Sequence, residues 1–142
     1  MCANWDIAQL YPRLIDTVLT THRGTSVDGH VIYAFEGCHD VPELGFYWKE
    51  RGLQVIYSTD SFSMKNVPEG LKFDAFFVEA NYDAEKVLQI ELAGKDKTKT
   101  GFSTTKGSHR HLSIQQHKAF YYSRRKTRDA LDVELHKSSR YY

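Results

Sequence analysis

The stretch Gln54-Val55-Ile56-Tyr57-Ser58-Thr59-Asp60 places a run of strand-forming residues before a single carboxylate. β-Branched and aromatic side chains suit a pleated, half-buried surface, so the run predicts a strand that breaks at Asp60. In layered α/β proteins, ligands gather where strands stop and loops begin, which makes a strand-end aspartate a candidate for site chemistry. The competing reading is a turn cap, in which Asp60 bonds only its own loop. The flanking sequence decides between them.

Upstream, Leu14 to Thr21 predicts a strand that stops at His22, with Arg23-Gly24 turning the chain. His30 to Phe35 predicts a second, which stops at Gly37-Cys38-His39-Asp40. Val41 to Trp48 reads as a turn and an apolar strand, and Arg51-Gly52 as the hairpin connection into the Asp60 strand. Two predicted strands thus end on histidine and a third on aspartate. Before them, Asn4 to Tyr11 has a capping residue and apolar positions Ile7, Leu10 and Tyr11 at helical spacing, closed by Pro12.

Downstream, Phe73 to Glu79 is a nearly continuous apolar run, as in a strand buried on both faces. Asp83 is placed to cap a helix reaching about Leu92. Residues 95–106, rich in Lys, Thr and Gly, predict a long exposed loop. A helix then begins at Leu112 or Ser113 and runs to about Arg125, with Ala119, Phe120 and Tyr121 inward. Ala130 to Leu135 alternates as a strand and leads into His136-Lys137-Ser138-Ser139-Arg140. No repeat or linker divides the chain, so residues 1–142 are expected to form one α/β domain, a mixed sheet with about three helices.

Composition excludes several classes. A hydrophobic fraction of 41% with three prolines argues against disorder, and no apolar run approaches the roughly 20 residues of a membrane helix. No basic leader precedes an apolar core, which points to the cytoplasm rather than secretion. Two cysteines make no disulfide framework, and Cys38 reads either as a small buried filler or as a reactive thiol. The net charge of +1 hides a division: residues 1–94 carry 7 basic against 14 acidic side chains, and residues 95–142 carry 12 against 4. Either the two halves attract each other or the basic half meets a polyanion.

Strand-end histidines with a strand-end aspartate are the donor types a Zn²⁺ or Mn²⁺ site requires. In order along the chain, His39-Asp40-Val41-Pro42 with Gly45-Phe46, Tyr57-Ser58-Thr59-Asp60, Phe77 to Asp83, and His111-Leu112-Ser113 resemble the later motifs of metallo-β-lactamase-fold hydrolases, nearest to small phage and bacterial members acting on phosphodiesters in nucleic acid or nucleotides. The resemblance covers Leu14 to the C-terminus. It implies that His39 binds a first metal, that Asp60 bridges two, and that His111 binds the second. It further implies that Glu79, Asp83, His136, Lys137 and Ser138 support a ligand histidine or hold phosphate.

The family's His-x-His-x-Asp-His cluster has no counterpart, since Thr21-His22-Arg23-Gly24 stands in its place and only His22 could serve for its first histidine. A partial fold is therefore expected, the C-terminal part of an αββα sandwich. Two functional classes stay open: a hydrolase with zinc or manganese held by His22, His39, Asp60 and His111, and a non-catalytic nucleic-acid- or protein-binding descendant. For the second, Lys95, Lys97, Lys99, Arg124, Arg125, Lys126 and Arg128 with Phe120, Tyr121 and Tyr122 would form the surface. Half of such a sandwich also exposes an apolar sheet face, through which copies of the chain would associate.

Overall fold

A computed structural model describes residues 2–3, 17–21, 23–97, 103 and 105–142. Its centre is a six-stranded sheet: β3 (Gly24–Val27), β4 (His30–Glu36), β5 (Leu44–Glu50), β6 (Leu53–Ser58), β7 (Ala75–Glu79) and β8 (Leu131–Leu135), neighbours in that order. A separate parallel pair, β1 (Cys2–Ala3) and β2 (Thr17–Val18), lies before it. The described helices are α1 (Ala84–Leu92) and α2 (Ile114–Arg124), with a 3₁₀ turn at Ser108–Arg110.

The first four strands of the large sheet form an antiparallel meander, and β6, β7 and β8 run parallel. Two tight turns explain the meander. Asp28-Gly29 and Arg51-Gly52 all have positive φ, of 48°, 83°, 48° and 87°, as a two-residue hairpin turn matching the right-handed sheet twist requires. Because β4 and β6 are both antiparallel to β5, and β7 and β8 follow β6, the strands β4, β6, β7 and β8 all finish at one edge of the sheet.

One face of the sheet is closed by α2. Ile56, Phe73, Phe76 and Val78 are fully buried there, with Phe35, Leu112 and Tyr121 nearly so. Phe76 sits at the centre, its ring edge-on to Phe73, Phe120 and Tyr121 at centroid distances of 5.6, 6.0 and 5.0 Å. Close approach of β4 and β5 depends on Gly45, paired with Phe35, because a Cβ there would stand 2.1 Å from the Phe35 ring. Both helices begin as their sequences predict. The Asp83 carboxylate accepts the Glu85 and Lys86 amides, and Ser113 with Gln116 closes a reciprocal capping box.

Several expectations change. Gly24 does not turn the chain but starts β3, because the Asp28-Gly29 turn folds it back on β4. Of the predicted Leu14–Thr21 strand, Thr17–Val18 pairs with Cys2–Ala3, Thr21 bridges Ala34, and 14–16 fall outside the described residues. Ala119 is exposed; the buried positions of α2 are His117 and Tyr121. Two α-helices rather than three are described, the predicted helix over residues 4–11 lying outside the described residues. Cys38 is buried at 6% exposure and burial pushes its thiol up, which suits the filler reading.

Candidate metal centre

Four side chains converge at the edge where the parallel strands end. Asp60 follows β6 by two residues, Glu79 is the last residue of β7, His136 is the first after β8, and His111 precedes the cap of α2. One donor atom from each lies within 4.8 Å of all the others. His111 Nδ1 is 2.7 Å from Glu79 Oε1 and 3.7 Å from Asp60 Oδ1. His136 Nδ1 is 3.0 Å from the same Glu79 oxygen and 3.2 Å from Asp60 Oδ1.

Backbone conformation delivers two of the four. Asp60 and His136 have φ of 53° and 51°, in the left-handed region that non-glycine residues avoid. Neither belongs to a hairpin turn. Each lies just past the end of its strand and swings its side chain into the cluster, a strain of about 1–3 kcal/mol that functional sites commonly hold.

Hydrogen bonds lace the loops beneath the cluster. The Ser61 amide donates to Glu79 Oε2 at 2.9 Å, while the Ser61 hydroxyl accepts from the Cys38 amide at 2.8 Å. The Phe62 amide donates to the Cys38 carbonyl at 2.9 Å, so the loops after β4 and β6 are tied together. Asn81 does the same on the other side: its amide nitrogen Nδ2 donates to the His136 carbonyl at 2.7 Å, and its backbone joins Leu112 and Ser138. Ser61 carries no motif signal in the sequence, and Asn81 lies inside the Phe77 to Asp83 motif without a role of its own there, because the work of both is tertiary.

Burial sets the electrostatics of the cluster. Burial pushes the Glu79 carboxyl up to about 7, with the Ser61 amide and His136 opposing it. Glu43, at the start of β5, is pushed up to about 8 by burial and by the charges of Asp60 and Glu79. Burial, with neighbouring His136, lowers His111, which keeps its ring neutral and its lone pair available. Glu79 Oε1 and His111 Nδ1 are buried and lie 2.7 Å apart, yet neither makes a hydrogen bond.

A metal ion fits these residues. Two carboxylates and two imidazoles are suitable donors for zinc or manganese. Donors about 2.0–2.2 Å from a tetrahedral ion stand roughly 3.3–3.6 Å apart, and the histidine–carboxylate contacts here span 2.7–3.7 Å. The unbonded pair Glu79 Oε1 and His111 Nδ1 would then be ligand atoms rather than orphans.

The remaining predicted residues fall elsewhere. His39 stays outside the four-donor group, its Nδ1 2.6 Å from Asp40 and its ring 5.8 Å from that of His111. His22 lies outside the described residues. The Asp83 carboxylate is engaged as the α1 cap and also accepts from Gln115. Lys137 pairs with Glu134 at 3.0 Å, and the Ser138 hydroxyl accepts from the Arg140 and Tyr141 amides. Even so, Lys137, Ser138 and Arg140 line a groove of about 330 Å³ whose inner wall is His111 and His136. A larger groove, of about 710 Å³, lies near the Asp28-Gly29 and Arg51-Gly52 turns at the far end of the strands and gathers no such donor set.

No family model matches the sequence, and no curated protein matches it either. Solved structures do. The metallo-β-lactamase fold protein YhfI from Bacillus subtilis aligns over 97% of this chain and 52% of its own, at 13% identity and a TM-score of 0.61. The short form of human tRNase Z (ELAC1) aligns over 98% of this chain and 61% of its own, at 16% identity and a TM-score of 0.60. The chain thus has a partial metallo-β-lactamase fold and spans between half and two-thirds of the length of these structures.

Proposed function

We propose that this chain is a metal-dependent hydrolase of the phosphodiester-cleaving kind, with Asp60, Glu79, His111 and His136 holding one zinc or manganese ion. The observation that carries the reading is the convergence of those four donors, from four separate segments, within 4.8 Å. A bound ion would supply Lewis acidity and bring a water into the range where it attacks at neutral pH. The chain's own residues do the rest. Arg140, with the Ser138 segment and with Lys137 beside its partner Glu134, offers positive charge and donors to a phosphate lying in the groove beside His111 and His136. Glu79, the fully buried carboxylate of the four, would hold the ion in its ionised form and so give up on metal binding the proton that burial favours in the metal-free chain.

A polynucleotide or nucleotide substrate is favoured by this cationic groove, and the tRNase Z name of one structural neighbour is consistent with it. The binding-module alternative has less support. Arg124 is spent on the Pro68 and Leu71 carbonyls, Lys126 on Asp74, and Phe120 and Tyr121 on the core. Of the predicted basic and aromatic surface, Lys95, Lys97, Arg128 and Tyr122 are exposed, Arg125 lies 4.7 Å over the Tyr122 ring, and Lys99 is outside the described residues. The chain with zinc or manganese is expected to cleave a bis-aryl phosphate or single-stranded DNA, and to lose that activity by more than tenfold on Asp60→Ala. Metal-independent or undetectable cleavage by freshly metal-loaded protein would refute the reading.

A further inference from the structure

Behind the cluster, on the core side of the sheet, sits a buried histidine for which the site chemistry above has no use. His117 is 1% exposed in the middle of α2. Its Nδ1 is 3.0 Å from the Glu79 carbonyl oxygen, and its Nε2 is 2.8 Å from the Asp132 carboxylate on β8. A carbonyl oxygen can only accept, so Nδ1 carries a proton and donates it. Nε2 faces the Asp132 carboxylate at the other end of the ring. The result is a relay across three elements: β8 through Asp132, α2 through His117, and the last carbonyl of β7.

Two considerations give this relay a purpose beyond stability. His117 is the buried member of this contact while the Asp132 side chain keeps 27% exposure, so the contact takes an imidazole into the core at a desolvation cost that an apolar residue in α2 would not carry. The carbonyl it holds belongs to Glu79, the one residue of the four-donor group whose side chain is fully buried. Glu79 closes β7, where the peptide plane after it is fixed by two contacts: His117 on its carbonyl and the Ala80 amide donating to Leu135 at 3.0 Å. Rotation of that plane would turn the Glu79 side chain away from His111 and His136.

We propose that His117, oriented by Asp132, is a positioning residue that sets the Glu79 carboxylate for the metal. The inference rests on the metal-site reading above, and its test separates the two. Cobalt(II) is titrated into the full metal-free chain, and its visible absorption reports both affinity and ligand geometry. Wild-type protein binds cobalt with ligand-field bands; no binding at all would remove the site reading and this proposal with it. His117→Ala is expected to stay folded by circular dichroism, weaken cobalt binding about 10–100-fold and shift the bands, as loss of an outer partner does.

Asp132→Asn in the presence of His117 should keep nearly wild-type binding, because its amide can donate to Nε2 and leave the Nδ1 proton directed at the Glu79 carbonyl. Should His117→Ala not fold, Asp132→Ala is read in its place, with weaker binding and shifted bands again expected. Wild-type affinity and spectrum in the folded variant would overturn the proposal, however far its melting temperature falls.

Discussion

Asp60 and His136 show how a site is specified one residue at a time. Both hold a backbone conformation that an aspartate or histidine adopts only under constraint, and both aim a donor at the same place. Asp60 was legible because a strand-forming run stops just before it. Glu79, His111 and His136 were legible only as members of ordered motifs, since nothing in a linear sequence states that three strand ends share an edge. Ser61 and His117 were not legible, and Asn81 only as a member of the Phe77 to Asp83 motif, because each acts through contacts to residues from 15 to 57 positions away. Glu43 gives a prediction at this scale. Its carboxyl moves from an ordinary 4.5 to about 8, so the folded chain keeps a proton that the unfolded chain releases. Stability of the metal-free protein must therefore fall as pH rises from about 4.5 to 8. Glu43→Gln should flatten that fall and, after discounting for solvent on its open side, gain about 1–2 kcal/mol at pH 8 and almost nothing at pH 4. Thermal melts in chelator at the two pH values measure it; a variant less stable at pH 8 would contradict it.

The elements follow local rules closely. Helix α2 begins where Ser113 and Gln116 can close a capping box, and removing the Ser113 hydroxyl by Ser113→Ala should cost about 1 kcal/mol in denaturant unfolding. Gly45 is a packing requirement of the β4–β5 pair: the Phe35 ring lies across it, so Gly45→Ala should cost about 1–3 kcal/mol. An unchanged midpoint for Gly45→Ala would mean that Phe35 has room to move. Strand β3 escaped the sequence reading for a definite reason. Gly24-Thr25-Ser26-Val27 is too short and too polar to signal a strand, and the Asp28-Gly29 turn that creates it was passed over in favour of Arg23-Gly24. The helix interior was misread at Ala119 because the inward stripe of α2 runs through His117, a polar residue that periodicity counts as outward.

At the scale of the molecule, the two oppositely charged portions meet within the fold. Arg110 pairs with Asp40 at 2.7 Å, Lys126 with Asp74 at 2.9 Å, and His109 with Glu91 at 2.8 Å, so part of the basic half is answered internally. No described helix is long and apolar enough to cross a membrane. Away from α2, the other sheet face carries an apolar groove of about 330 Å³ lined by Leu19, Ile32, Phe46, Trp48 and Tyr57. A hydrophobic dye should bind the folded chain there, and Trp48→Lys should remove most of that signal without unfolding the protein. Equal dye binding by the folded variant would place the apolar surface elsewhere.

The whole account turns on whether the four-donor cluster holds metal. Equilibrium dialysis of the chain, stripped with chelator and returned to zinc at pH 7.5, measures it directly. The expected result is about one tightly bound ion per chain, accompanied by proton release as Glu79 gives up its proton, and lost on Glu79→Gln or on His136→Ala. No binding above background, or one ion bound equally well by both variants, would contradict it.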